Sequence, residues 1–216
     1  MKAAAKPLIV SGAVLVAVIL AGLAYLLIDR AQAPDPGSAA VVRTDSHVLD
    51  EGGDDAVTVV EFLDFECEAC AAYYPVVEDL REKYAGRITY VVRHFPLPGH
   101  VNSTNAALAA EAAAEQGRFE DMYHRLFETQ AEWGEDRRSR ADLFRDYATQ
   151  LELDMAAYDA AVADPTTEAR VRADFDEGRA LGVSSTPTFF VDGEPLTIER
   201  WGDLENAIQG ALSDAP

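Results

Sequence analysis

Apolar positions in this chain change period at defined places, and each change marks an element. Val57 to Phe65 (Val-Thr-Val-Val-Glu-Phe-Leu-Asp-Phe) is β-branched, aromatic and nearly continuous, the pattern of a strand buried on both faces. From Cys67 the period becomes helical: Ala71, Tyr74, Val77, Leu80 and Tyr84 recur on one face until Gly86 stops the run. Ile88 to Phe95 is a second strand, closed by Pro96-Leu97-Pro98-Gly99. Strand, helix and strand joined by tight connections predict a parallel βαβ unit with a right-handed crossover.

The next stretch is helical in period throughout. Ser103 to Gln116 is alanine-rich and ends at Gly117. Phe119 to Gln130 puts Phe119, Met122, Tyr123, Leu126 and Phe127 on one face, and Ala141 to Leu151 repeats that pattern. Asp154 caps a short helix through Val162, and Asp164-Pro165 opens another that reaches Leu181. Strand character returns at Thr186 to Val191. Asp192-Gly193 then signals a tight hairpin into Glu194 to Ile198. Arg200 to Leu212 closes as an amphipathic helix bearing Trp201, Leu204, Ile208 and Leu212. The order is β-α-β, a helical insert at about residues 102–182, then β-β-α, an α/β class. Val41, Val42, Val48 and Leu49 are compatible with a short strand at the domain edge.

The N-terminus follows another pattern. Leu8 to Ile28 holds 21 residues without a charge; as a helix it spans ~32 Å, against roughly 30 Å for a bilayer core. Lys2 and Lys6 precede it, so residues 1–7 are expected in the cytoplasm and everything after Ile28 outside. The divisions expected are a transmembrane signal anchor at 8–28, a proline-bearing tether at 29–54 and the folded domain at 55–216. Ala31-Gln32-Ala33 resembles a signal-peptide cleavage box, but the apolar run exceeds the usual ~7–15 residues and Pro34 would follow the cut. Either reading exports the domain into an oxidising compartment.

Composition narrows the partners. The 216 residues carry 38 acidic and 18 basic side chains, a formal charge of −20. That excludes nucleic acid as the expected partner, because phosphate recognition needs clustered Lys and Arg. The acidic surface is read as solvation that keeps the domain soluble.

The two cysteines of the chain sit together as Cys67-Glu68-Ala69-Cys70. Cys67 opens a helix, where unpaired amides and the helix dipole stabilise a thiolate. Cys70 lies one turn on, within reach of the sulfur that Cys67 has joined to a substrate. Cys67 is therefore read as the exposed attacking thiol and Cys70 as the buried resolving thiol. A purely structural disulfide would close a tiny loop and stabilise little. A metal site would need ligands beyond one pair, and His47, His94, His100 and His124 show no ligand spacing. No metal or other cofactor is expected beside the redox-active pair itself.

Two further positions bear on the thiols. Glu61 interrupts an apolar strand six residues before Cys67. If buried there, its pKa is raised and it can exchange a proton with Cys70; on an edge strand it would only face solvent. Thr186-Pro187 opens a strand, where a cis bond would leave the Thr186 backbone free for an incoming chain and a trans bond would make it an ordinary strand start.

These residues resemble a DsbA-like thioredoxin-fold thiol:disulfide oxidoreductase of the membrane-anchored bacterial and archaeal type. The resemblance rests on Val59 to Cys70, on the helical insert after Phe95-Pro96-Leu97, and on Gly182-Val183-Ser184-Ser185-Thr186-Pro187-Thr188-Phe189-Phe190-Val191-Asp192-Gly193. It covers about residues 54–213. It implies a thioredoxin fold with an inserted helical subdomain that caps the thiols, Pro187 as the cis-proline beside them, Thr186 at the substrate groove, and Glu61 as the buried acid. It also implies exported cysteine-containing clients, a monomer, and a quinone-linked membrane partner of the DsbB or vitamin K epoxide reductase-like kind that restores the disulfide. Glu68-Ala69 departs from the Pro-His usual between the cysteines of such oxidases. Repulsion from Glu68 is expected to leave Cys67 less acidic than in the strongest oxidants, with reductase, isomerase and non-catalytic scaffold roles as the alternatives.

Overall fold

The computed structural model describes residues 40–214. The expected span at 8–28 and the first part of the tether lie outside the described residues; among those described, no helix is long and apolar enough to cross a membrane.

A five-stranded sheet forms the centre, in the order β1-β3-β2-β4-β5. β2 (Val57–Leu63) pairs parallel with β3 (Ile88–His94), and α1 (Glu68–Lys83) makes the crossover between them. β4 (Thr188–Val191) runs antiparallel to β2 on its other side, and β5 (Glu194–Leu196) pairs with β4 through a hairpin in which Asp192 and Gly193 both hold positive φ. The second half of the expected tether belongs to the fold. Its β1 (His47–Asp50) pairs antiparallel with β3, its register shifted between Val48 and Asp50. Val48 and Leu49 thus fall in a strand, whereas Val41 and Val42 do not. The folded part starts well before residue 55 because buried Arg93 reaches back to it, donating to the carbonyls of Ala40 (2.7 Å) and Val41 (3.3 Å).

Continuous apolarity in β2 follows from cover on both faces. Val57, Val59, Leu63 and Phe65 join one core with α1 and the inserted helices, while Val60 and Phe62 join a second with Val91, Phe95, Val183 and Phe190. The insert comprises α2 (Ser103–Ala114), α3 (Phe119–Glu128), α4 (Gln130–Trp133), α5 (Ala141–Gln150), α6 (Met155–Ala163) and α7 (Pro165–Ala180), all between β3 and β4. The Asp154 carboxylate accepts from the amides of Ala156 and Ala157, and Asp164 accepts from Thr166, so both expected caps form. α7 lies on the second core, where Gly178 lets it approach Phe62 and Phe95. α8 (Asp203–Asp214) begins later than its apolar period implies. Trp201 therefore lies before the helix, 58% exposed and stacked on Tyr73 at 4.6 Å between ring centres. The apolar run at Leu204 and Ile208 is what α8 buries.

Candidate active site

The turn after β2 aims both sulfurs. The Asp64 carbonyl accepts from the Cys67 amide at 3.1 Å, and Cys67 takes extended angles (φ −71°, ψ 122°) as the residue that caps α1. The Asp64 carboxylate, fully buried, accepts from the amides of Glu66 and Leu97 (2.9 Å each) and from His100 Nδ1 (2.7 Å). Glu66 is buried as well. It accepts from the Asn102 amide at 2.6 Å, while its carbonyl accepts from Gln130 at 2.8 Å. Asn102 in turn donates to the carbonyls of Asp136 and Arg138 and accepts from the Arg140 amide. The insert is thus fastened onto the cysteine turn through polar contacts. None of Asp64, Glu66, Asn102 and Gln130 was singled out for a site role in the sequence; an acidic residue beside a cysteine pair reads as surface until the long-range partners are known.

The two thiols occupy different surroundings. Both are free and buried, with Cys70 1% and Cys67 6% accessible. Cys67 is therefore not the exposed thiol expected: the segment carrying Pro187 roofs it, and its Sγ donates to the Thr186 carbonyl at 3.4 Å. Its pKa nonetheless falls to about 6. The Cys70 thiol donating to it lowers it most, burial opposes this, and Thr186 and the amides of Cys70 and Ala69 lower it further. The Thr186 hydroxyl is buried and has no hydrogen-bond partner among the described residues, and it is placed to donate to a Cys67 thiolate. Cys70 is pushed well above the ordinary thiol value by burial, then by its partner sulfur and the Glu61 charge.

Glu61 lies mid-way along β2, between Val92 of β3 and Phe189 of β4, and is 2% accessible. The edge-strand alternative fails because β2 is central. Burial raises its pKa to about 7, opposed by the donated hydrogen bond of Tyr90. The Thr186-Pro187 peptide is cis. Glu68, by contrast, is exposed and turns outward: its own amide and then Glu135 hold its pKa down. The leading influences on Cys67 are its sulfur partner, burial, Thr186 and the helix amides, not repulsion from Glu68.

A thioredoxin family model matches residues 51–210. The chain belongs to the thioredoxin family. Its architecture follows alpha-DsbA1 of Wolbachia pipientis, with a TM-score of 0.70 at 21% identity over 83% of this chain and 96% of that one. A thioredoxin-like oxidoreductase from Silicibacter pomeroyi aligns at a TM-score of 0.67 and 25% identity, over 82% of this chain and 98% of its own. Among curated proteins, a Na(+)/H(+) antiporter NhaA 3 of Salinispora tropica is 41% identical over 164 residues, 74% of this chain. This chain spans about a quarter (24%) of that relative's length.

In this thioredoxin-family domain the structure places Glu61, Cys67, Cys70 and Thr186 near one another. The Glu61 charge raises the Cys70 thiol inside the core, and Cys67 meets the carbonyl of Thr186, the residue before Pro187. It also shows two neighbours that spacing did not reveal. Tyr90 stands opposite Val59 in the β2–β3 register and reaches the Glu61 carboxylate. His100 is drawn in by Asp64; burial lowers its pKa, but the Asp64 hydrogen bond and charge outweigh this and raise it. Away from the thiols, the fold gathers residues that are distant in sequence. His47 and His94 lack ligand spacing in sequence, yet they converge on Glu111 because β1 lies beside β3, with His47 paired to Val92.

Proposed function

We propose that the chain is an extracytoplasmic thiol:disulfide oxidoreductase that forms disulfides in exported proteins. The observation that carries the reading is the opposition of two adjacent thiols: Cys67 lowered to about 6 at a helix start, Cys70 raised well above the ordinary value in the core. A pair so divided favours its reduced form, with one stable thiolate and one stable thiol, and a favoured dithiol makes the disulfide oxidising.

The exchange follows from that division. A client thiolate attacks Cys67 Sγ of the disulfide; the Cys67–Cys70 bond breaks and Cys70 leaves with the electron pair. Buried Cys70 takes up a proton, and Glu61, protonated in about half of molecules near neutrality, is the acid inside the same core. A second client thiolate then attacks the client sulfur of the mixed disulfide, releasing Cys67 as a thiolate and the client with a new disulfide. Two electrons have passed to the chain, and no metal or organic cofactor takes part. A quinone-linked membrane partner would remove them. The Thr186 backbone meets Cys67 and suits an extended client.

Location rests on the sequence. The uncharged run from Leu8 to Ile28 behind Lys2 and Lys6 supports an anchor with the catalytic domain outside. The antiporter name belongs to a relative about four times as long as this chain.

The reduction potential tests the reading. We expect a value between about −270 mV, typical of a reductase, and −120 mV, typical of the strongest oxidase, and on the oxidising side of their midpoint. A potential at or below −270 mV would instead assign the domain to reduction.

A further inference from the structure

We propose that His47, His94 and Glu111 form a zinc site, independent of the cysteines, that staples the leading strand to the helical insert. His47 Nε2 and His94 Nε2 each lie 2.7 Å from Glu111 Oε1. The three donor atoms fall within 4.8 Å of one another. Around a tetrahedral zinc at ~2.0–2.1 Å, donor atoms stand about 3.3 Å apart. Each nitrogen–oxygen separation therefore has to open by only roughly half an ångström. Two imidazoles and one carboxylate suit zinc better than calcium or magnesium, which prefer oxygen alone.

The surroundings favour occupation. His47 is held in place by stacking on Phe119, with ring centres 3.7 Å apart and planes 12° from parallel. Arg170 Nε lies 3.2 Å from Glu111 Oε2, leaving Oε1 to face the rings. The cluster opens on a surface cavity of about 330 Å³ bordered by Glu115, Thr166, Thr167 and Arg170. Thr167, which lines this cavity, is 4% accessible, and its hydroxyl has no hydrogen-bond partner among the described residues. The three protein donors leave a fourth tetrahedral position to a water molecule. The ligands come from β1, from the end of β3 and from α2, elements far apart in sequence. A bound ion would fix the strand nearest the N-terminal segment against the insert.

The test uses the full chain carrying Cys67→Ser and Cys70→Ser, which removes the competing thiolates, and zinc chloride alone as the probe. We expect one zinc per chain by calorimetry, a visible Co(II) spectrum of tetrahedral nitrogen–oxygen type on substitution, and a melting temperature raised by roughly 5–10 °C at a hundredfold excess over Kd. His47→Gln, at a partly exposed position, should weaken binding at least about tenfold while keeping the circular dichroism of the parent. His124→Gln, outside the cluster, should change nothing. Absence of stoichiometric binding at micromolar zinc, binding that survives His47→Gln, or binding lost in His124→Gln would each overturn the site. Should His47→Gln unfold, the cobalt spectrum of the unsubstituted cluster still decides.

Discussion

Tyr90 donates its phenolic proton to the Glu61 carboxylate from the neighbouring strand, and both groups are almost sealed from solvent. The bond favours the ionised acid, while burial favours the protonated one, and burial prevails. Replacing Tyr90 with Phe leaves burial unopposed. The Glu61 pKa should rise above its value of about 7, by roughly one unit for a lost hydrogen bond to a charge. A carboxyl-carbon NMR titration of the reduced protein measures it directly, and an unchanged midpoint would detach Tyr90 from the acid.

Glu61 also shapes stability against pH. Its folded pKa, about 7, lies above the ordinary 4.5, so the folded state binds the proton more tightly. The stability this provides is full below about pH 4.5 and is lost as pH rises through about 7. Over that window the reduced domain should lose of order 3 kcal/mol from this residue. Urea unfolding across the pH range should show the slope in the parent and a flatter curve in Glu61→Gln. Equal slopes would mean that the carboxyl is not desolvated.

Thr186→Val removes the one hydroxyl placed to donate to the Cys67 thiolate while keeping the side chain's shape. Thiolate absorbance should titrate near pH 6 in the parent and about one unit higher in the variant. A higher pKa means a weaker oxidant, by ~30 mV per unit for a two-electron couple. A parent midpoint near 3.5, the value of the strongest oxidase, would contradict the acidity assigned to Cys67.

Gly178→Ala tests how closely α7 seats on the sheet. An added Cβ would stand 2.9 Å from Phe95 and 3.0 Å from Phe62, both fully buried rings. Overpacking should cost about 1–3 kcal/mol, outweighing the ~1 kcal/mol that alanine offers a helix. A variant as stable as the parent would show that α7 can shift.

Local order was legible in the sequence because it is written in neighbours. The Val57–Leu63 run, the caps at Asp154 and Asp164, and the Asp192-Gly193 hairpin each need only residues close in the chain. The cysteine pair and Glu61 were legible for the same reason, as a motif and as a polar break in an apolar strand. Buried charge was not. Arg93 is inaccessible because Asp174 pairs with it at 2.7 Å from 81 positions away, and Glu111 is buried by His47 and His94. Arg93 breaks the Ile88–Phe95 run as Glu61 breaks its own strand, but the partners that hold these charges in the core lie far off in the chain. Trp201 failed in the opposite sense: its helical period placed it on an inner face, but α8 starts after it.

The flanks of the sheet carry a last consequence. β1 has four residues and a shifted register, and β5 has three, with Pro195 among them offering no amide. An exposed strand edge invites other chains to add themselves as a further strand. Blunt margins deny them a place to zip on, so the sheet edges resist pairing with a second copy or a passing polypeptide.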